Sequence, residues 1–318
     1  MDKIRAGVVG VGYLGKFHAE KFAAAEHAEL VGVVDTDPEQ ADSIANKHDT
    51  RAMTDYRELL GRVDAVSIVV PTPYHYQIAK VFLENGVDVL LEKPMTTTIA
   101  EADELVEIAA KKGLILQVGH LERFNPAVKA VKDIVKQPIF IESNRLSLYQ
   151  PRGTDVSVVL DLMIHDIDII LTFVRSEIAY SHAMGAPVVS GHVDIANAHL
   201  EFENGAVANV TASRISSKSE RKIRVFQRDG YLSLDFANRS IMHIWPGEDG
   251  ESAPVPGMQM EELSFEQGDA LRDEILSFLD AVSTRSEPEV SGRMGREALN
   301  LALSITRQIR ESSRRFMG

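Results

Sequence analysis

Two grammars of apolar and polar positions divide the chain. In the first 120 residues, short continuous runs of Val, Ile, Leu and Ala alternate with stretches whose apolar residues recur every three to four positions. Residues 3–9, 29–34, 64–70, 87–91 and 114–118 are predicted strands, apolar enough to be buried on both faces. Residues 13–25, a segment opened by Pro38, 74–85 and 98–112 are predicted helices between them. This alternation implies parallel βαβ units, and right-handed crossovers leave a doubly wound sheet as the economical topology. Beyond residue 120 apolar and polar residues alternate singly, as in strands with two different faces. Residues 195–202 and 206–213 flank Asn204-Gly205, and 222–227 and 231–236 flank Asp229-Gly230, both hairpin signals. Residues 157–174 form a nearly continuous apolar helix, and 269–283 and 293–311 read as two closing helices.

The expected fold is therefore α/β. Residues 1–120 form a Rossmann domain with a parallel sheet, and residues 121–318 an α+β domain with an open, largely antiparallel, mixed sheet. The segment 246–257, rich in Gly, Pro and acids, is the expected mobile loop.

Candidate chemistry sits at the strand ends. Gly10, Gly12 and Gly15 form GxGxxG where the first strand turns into the first helix, with Tyr13 and Leu14 between them. Such a turn brings a diphosphate against helix N–H groups, unless the glycines serve only to make the turn. Asp35, 20 residues beyond Gly15, ends the second strand. An acid there accepts ribose hydroxyls and repels a 2′-phosphate, which favours NAD over NADP; alternatively, Asp35 merely begins the turn to Pro38. Thr72 and Glu92 are further candidate cofactor contacts at strand ends. Lys93 follows Glu92 directly and is expected either to face the nicotinamide region or to be an ordinary surface lysine. Pro94 after it forces extended backbone and admits a cis bond.

In the second domain Asp161, His165, Asp168 and Thr172 fall on one stripe at about 100° per residue, while Asp166 points elsewhere. A carboxylate four residues from a histidine suits general-base work; the other reading is a polar network between helices. Arg123 and Asn125 are candidate substrate ligands or a capped helix start. Tyr149, Gln150 and Arg152, with Arg145, add planar and basic groups that could receive an anion or form a solvated loop.

Composition narrows the choice. With 34 Lys+Arg against 47 Asp+Glu, the net charge of −13 disfavours nucleic-acid backbones and anionic membranes. No cysteine excludes thiolate chemistry and Cys-based metal sites, and the ten histidines lack metal-ligand spacing, so no metal is expected. The absence of GxSxG argues against a hydrolase nucleophile elbow. Apolar runs are far short of the ~20 residues of a membrane helix, and a signal-peptide pattern is missing, so a cytoplasmic location is expected.

The ordered combination Gly10-x-Gly12-x-x-Gly15-x-x-His18, Glu92-Lys93-Pro94 and Asp161-x-x-x-His165-x-x-Asp168 resembles the Gfo/Idh/MocA family of sugar and polyol oxidoreductases over essentially the whole chain. The resemblance implies Lys93, Asp161 and His165 as the catalytic group, and a homodimer or homotetramer. One departure is Tyr74-His75 after Pro73, where many members have Asn. A narrower similarity, carried by residues 119–126 and 155–168, is to nucleotide-sugar 3-dehydrogenases acting on UDP-N-acetylglucosamine-type substrates upstream of an aminotransferase. Arg123, Asn125, Tyr149, Arg152 and Asp168 would then meet the sugar. The competing expectations are an inositol or free-sugar dehydrogenase or reductase of the family, and a non-catalytic NAD-sensing regulator on the same fold.

Overall fold

The computed structural model describes residues 3–149, 156–247 and 256–313, which divide into two compact units. One unit takes residues 1–121 and 269–299, the other residues 122–268 and 300–318.

The first unit is built on β1 (Ile4–Val9), β2 (Ala28–Val34), β3 (Arg51–Met53), β4 (Ala65–Ile68), β5 (Asp88–Glu92) and β6 (Leu116–Gly119). All pairings are parallel, in the order β3-β2-β1-β4-β5-β6. The order reverses at β1, which puts a crevice outside the carboxyl ends of β1 and β4, where ligands bind in such sheets. Helices α1 (Gly15–Ala24), α2 (Pro38–Lys47), α3 (His75–Glu84) and α4 (Ile99–Lys112) connect the strands. Their starts are chemically marked. Asp37 caps α2 by accepting from Glu39 N and Gln40 N, ahead of Pro38 in the first turn. Thr98 and Glu101 form a reciprocal capping box on α4, which Gly113 ends at φ +63°.

Helix α7 (Ala270–Thr284) returns to this unit. Its Asp269 cap accepts from Arg272 N and pairs with Lys21 of α1 at 2.8 Å. Ile275, Phe278, Leu279 and Val282 then join Val8, Phe22, Val33 and Leu90 in one apolar cluster. Burying Phe278 alone contributes about 1.5–3 kcal/mol.

The second unit carries β7 (Pro138–Leu146), β8 (Ile178–Ala186), β9 (Ile195–Phe202), β10 (Val207–Ser213), β11 (Glu220–Gln227), β12 (Gly230–Asp235), β13 (Ser240–Pro246) and β14 (Met258–Ser264). They form one sheet in the order β14-β13-β12-β11-β7-β10-β9-β8, antiparallel except for the β7–β10 pair. The expected mixed sheet is thus present. One hairpin is shifted by a residue: Gln227 pairs with Gly230, so Arg228-Asp229 make the turn and Gly230 opens β12. A Cβ on Gly230 would stand 2.8 Å from the Ile244 carbonyl oxygen, so glycine serves strand approach rather than the turn. Helices α5 (Pro126–Val131) and α6 (Ile164–Val174) pack in this unit, and α8 (Gly292–Ser313) closes the chain. The expected mobile loop lies mostly outside the described residues.

Candidate active site

The three glycines of the turn have different surroundings. Gly10 sits at φ +84°, and a Cβ there would lie 2.5 Å from the Val69 carbonyl oxygen. A Cβ on Gly15 would lie 1.7 Å from Gly10 O, so helix and turn meet backbone to backbone. Gly12 differs, because a Cβ there would meet nothing within 4 Å. That open space beside the start of α1, where Leu14 supplies no side-chain cap, fits the diphosphate of a dinucleotide. Tyr13 and Leu14 stand exposed beside it.

Asp35 ties this turn to the end of β2. Its Oδ2 accepts from Val11 N at 3.0 Å and its Oδ1 from Asp37 N at 3.1 Å. A carboxylate has about four lone-pair sites, so acceptor capacity remains for ribose hydroxyls. Gln40 Nε2 reinforces the turn by donating to Val11 O at 2.7 Å. Thr72 lies in a 3₁₀ turn (Thr72–Tyr74) beyond β4.

At the end of β5, the half-buried Glu92 gathers a polar chain through the buried His18 and Ser67. Its Oε1 lies 3.3 Å from His18 Nε2, and its Oε2 accepts from Lys93 N at 3.1 Å. His18 Nδ1 is 2.9 Å from Ser67 Oγ. Burial alone would raise the Glu92 carboxyl, but His18 and Lys93 outweigh it and hold it below the usual carboxylate range. The Lys93-Pro94 peptide is cis. Beneath it lies His75, with Nδ1 2.9 Å from Pro94 O and Nε2 2.8 Å from Val70 O. It bridges the loops after β4 and β5; burial pulls its pKa below the ordinary value while both carbonyls pull upward. Sequence patterning placed His18 in the glycine motif and noted His75, but gave no partner for either.

In the second unit, Asp161 lies in a π-helical turn (Val159–Met163), and His165 is the second residue of α6. A π turn closes i→i+5 rather than i→i+4, so a constant 100° step does not hold across Asp161. Such turns recur at functional sites. Both side chains are half-buried; His165 stands between the buried Ile164 and Asp166, and Asp161 between the half-buried Leu160 and Leu162.

Deeper along α6, the acids are paired with arginines. Asp166 Oδ1 accepts from Arg145 Nε and Nη2 at 3.0 and 2.7 Å, and Arg145 Nη1 reaches Glu122 at 2.9 Å. Burial opposes the Arg145 charge, but Asp166 and Glu122 prevail and raise its pKa. Arg123 Nη1 lies 3.6 Å from Asp168 and donates to Thr172 Oγ1, with Arg123 and Asp168 both buried. Asn125 caps α5 by accepting from Ala127 N at 3.0 Å. Tyr149 is half exposed, and Gln150 and Arg152 lie outside the described residues. Among the described residues, no cluster of three or more His, Asp or Glu side chains could hold a metal ion.

A family model described as an oxidoreductase family with an NAD-binding Rossmann fold, Gfo/Idh/MocA, matches residues 4–120, and its C-terminal domain model matches residues 142–233. UDP-N-acetylglucosamine 3-dehydrogenase of Acidithiobacillus ferrooxidans is 38% identical over 96% of this chain and 97% of its own. The chain belongs to the Gfo/Idh/MocA family. It is an NAD(P)-dependent oxidoreductase acting on CH–OH groups. A solved structure of that Acidithiobacillus dehydrogenase superimposes with a TM-score of 0.92 at 37% identity, covering 97% of this chain and 98% of that one. Myo-inositol 2-dehydrogenase of Thermotoga maritima is more distant, 25% identical over 97% of each chain.

Proposed function

We propose that the enzyme oxidises the 3-hydroxyl of a UDP-N-acetylglucosamine-type nucleotide sugar, using NAD rather than NADP. The observation that carries the substrate is the 38% identity to a UDP-N-acetylglucosamine 3-dehydrogenase along the whole chain. Asp35 supports the cofactor preference, since a carboxylate fixed at the end of β2 would oppose a 2′-phosphate.

When bound, the nicotinamide supplies the hydride acceptor. His165, oriented by Asp161, takes the hydroxyl proton. Lys93, anchored through its backbone to Glu92, stabilises the developing alkoxide and positions the sugar. A general base of this kind contributes roughly 10²–10⁴-fold. Tyr149 and Arg152 contact the sugar nucleotide. Arg123, Asn125 and Asp168 shape the substrate side from beneath, through the ion pair and helix cap they make. The enzyme works in the cytoplasm as a homodimer or homotetramer, and an aminotransferase consumes its keto product.

The test is NADH formation across UDP-N-acetylglucosamine, its uronic acid, inositols and free hexoses, with an aminotransferase and glutamate to draw the oxidation forward. Turnover confined to UDP-sugars is expected. Turnover on inositols alone would overturn the substrate and keep the chemistry. Lys93→Met and His165→Ala should each lower kcat by roughly 10²-fold or more while still binding NADH. Near-normal turnover of either would remove that residue from the reaction.

A further inference from the structure

Helix α7 carries one ionisable side chain that the reaction above leaves unused. Glu274 is fully buried, and neither carboxyl oxygen has a hydrogen-bond partner among the described residues. Its surroundings are fixed by β6. Gln117 Nε2 donates to the Glu274 main-chain oxygen at 3.2 Å, so this side chain reaches from the sheet to α7. Gln117 and Gly119 are two apart on one strand and face the same way. A Cβ on Gly119 would stand 3.1 Å from the Glu92 carboxyl, which occupies the space this glycine leaves. Glu92 and α7 therefore lie on one face of the sheet, with β5 and β6 in register at Leu90–Gln117 and Glu92–Gly119. The corner holds two carboxyls. Glu92 has His18 and the Lys93 N–H, whereas Glu274 has neither a cation nor a donor among the described residues.

We propose that Glu274 is a positioning residue of the oxidoreductase: a neutral carboxylic acid buried behind Glu92, which leaves Glu92 as the single negative charge against Lys93. This rests on Lys93 being the lysine of the reaction. Two carboxyls set together, one of them fully buried, do not both ionise; the one with partners takes the charge and the buried one keeps the proton. Burial, and then the Glu92 charge, raise the Glu274 carboxyl well above its ordinary range. The other titratable groups that act on this corner are His18 on α1 and Lys93 beyond β5. Lys21, further along α1, is held at the surface by Asp269 and Glu20. An acid kept without partners burdens the fold, and such residues concentrate where charge is being arranged for chemistry. Ionising Glu274 would set a second negative charge behind Glu92 and disturb the pair that anchors Lys93.

The experiment compares wild type with Glu274→Gln, which keeps the shape and cannot ionise. Unfolded, the carboxyl releases its proton at about pH 4.3. Folded, it holds the proton to much higher pH, so folding takes up a proton and wild-type stability falls as pH rises between the two values. The unfolding midpoint of E274Q should therefore gain on wild type steadily from pH 5 to pH 8. A constant offset would overturn the neutral acid. The infrared carbonyl band of a protonated carboxylic acid should also be present in wild type and lost in E274Q. In the activity arm, kcat near neutrality should agree within about twofold, as expected for a group neutral in both proteins. On the alkaline side wild type should then lose activity, about tenfold per pH unit once Glu274 ionises, while E274Q holds. Superimposable pH profiles would overturn the positioning role. If neither protein oxidises any sugar, the dehydrogenase reading fails, and the stability arm still decides the state of Glu274. Glu274→Met, of similar volume, gives the same pH slope if E274Q does not fold.

Discussion

Buried charge is treated in opposite ways by the ion pairs of the second unit and by the acid corner around Glu274 in the first, a unit that elsewhere pairs its own buried Asp88 with Arg285 at 2.8 Å. In the second unit the buried ions meet partners: Arg145 lies between Asp166 and Glu122, Arg123 against Asp168, and Asp194 against three backbone N–H groups and a hydroxyl. In the first unit Glu274 has no partner among the described residues, and Glu92 beside it takes the corner's charge. Paired ions fix a frame, here Glu122 and Arg123 against the helix that carries His165. An unsatisfied acid is held neutral instead, and its proton becomes a variable. Removing a partner should therefore damage the second unit, while removing the ionisable group should relieve the first.

The largest expected effect is at Arg145. Arg145→Met leaves Asp166 and Glu122 buried without their cation and should destabilise the protein by about 3–5 kcal/mol in chemical denaturation. A loss below about 1 kcal/mol would mean the pairs do not hold that frame.

Next is Asp194, which accepts from Val188 N, Val189 N and Ser190 N at 2.7–2.9 Å and from Ser190 Oγ at 2.6 Å. Burial alone would raise its carboxyl, but these donors hold it well below the usual range. Its contribution is present above about pH 3.9 and is lost as pH falls through the depressed folded value. Asp194→Ala should cost about 2 kcal/mol at neutral pH, and the gap to wild type should narrow in acid. A gap that widened in acid would reverse the assigned sign.

Gly119→Ala is the mildest change to the fold and the most informative about Lys93. The added Cβ presses on the Glu92 carboxyl, a flexible end that can shift by a few tenths of an ångström. Stability should move by less than about 1 kcal/mol. Turnover should fall by roughly tenfold through displaced Lys93, with NADH binding kept. Unchanged kcat would separate Glu92 from the positioning of Lys93.

Much of this architecture was legible in the sequence, for physical reasons. Buried parallel strands are continuous apolar runs, and each of β1, β2, β4, β5 and β6 lies within a residue or two of its predicted place. Strands β8, β13 and β14 at or beside the sheet edges, and the central β7, carry weaker alternation and passed unrecognised. The return of α7 to the first unit was not legible, since its apolar stripe shows that a face is buried but not against what. At the site, the glycine turn, Asp35 and Lys93 lie at the strand ends where the sequence puts them. The partnership of Arg123 with Asp168 was not legible, because residues 45 apart reveal no pairing in a single chain. The π turn at Asp161 was equally hidden, since periodicity assumes the helix it measures.

The most direct measurement is hydride tracing with UDP-N-acetylglucosamine carrying deuterium on carbon 3. Deuterium recovered in NADH, with a slowed rate relative to the unlabelled sugar, is the predicted result. Unlabelled NADH, or none from this sugar alongside ready turnover of an inositol, would contradict oxidation at that carbon and with it the assigned substrate.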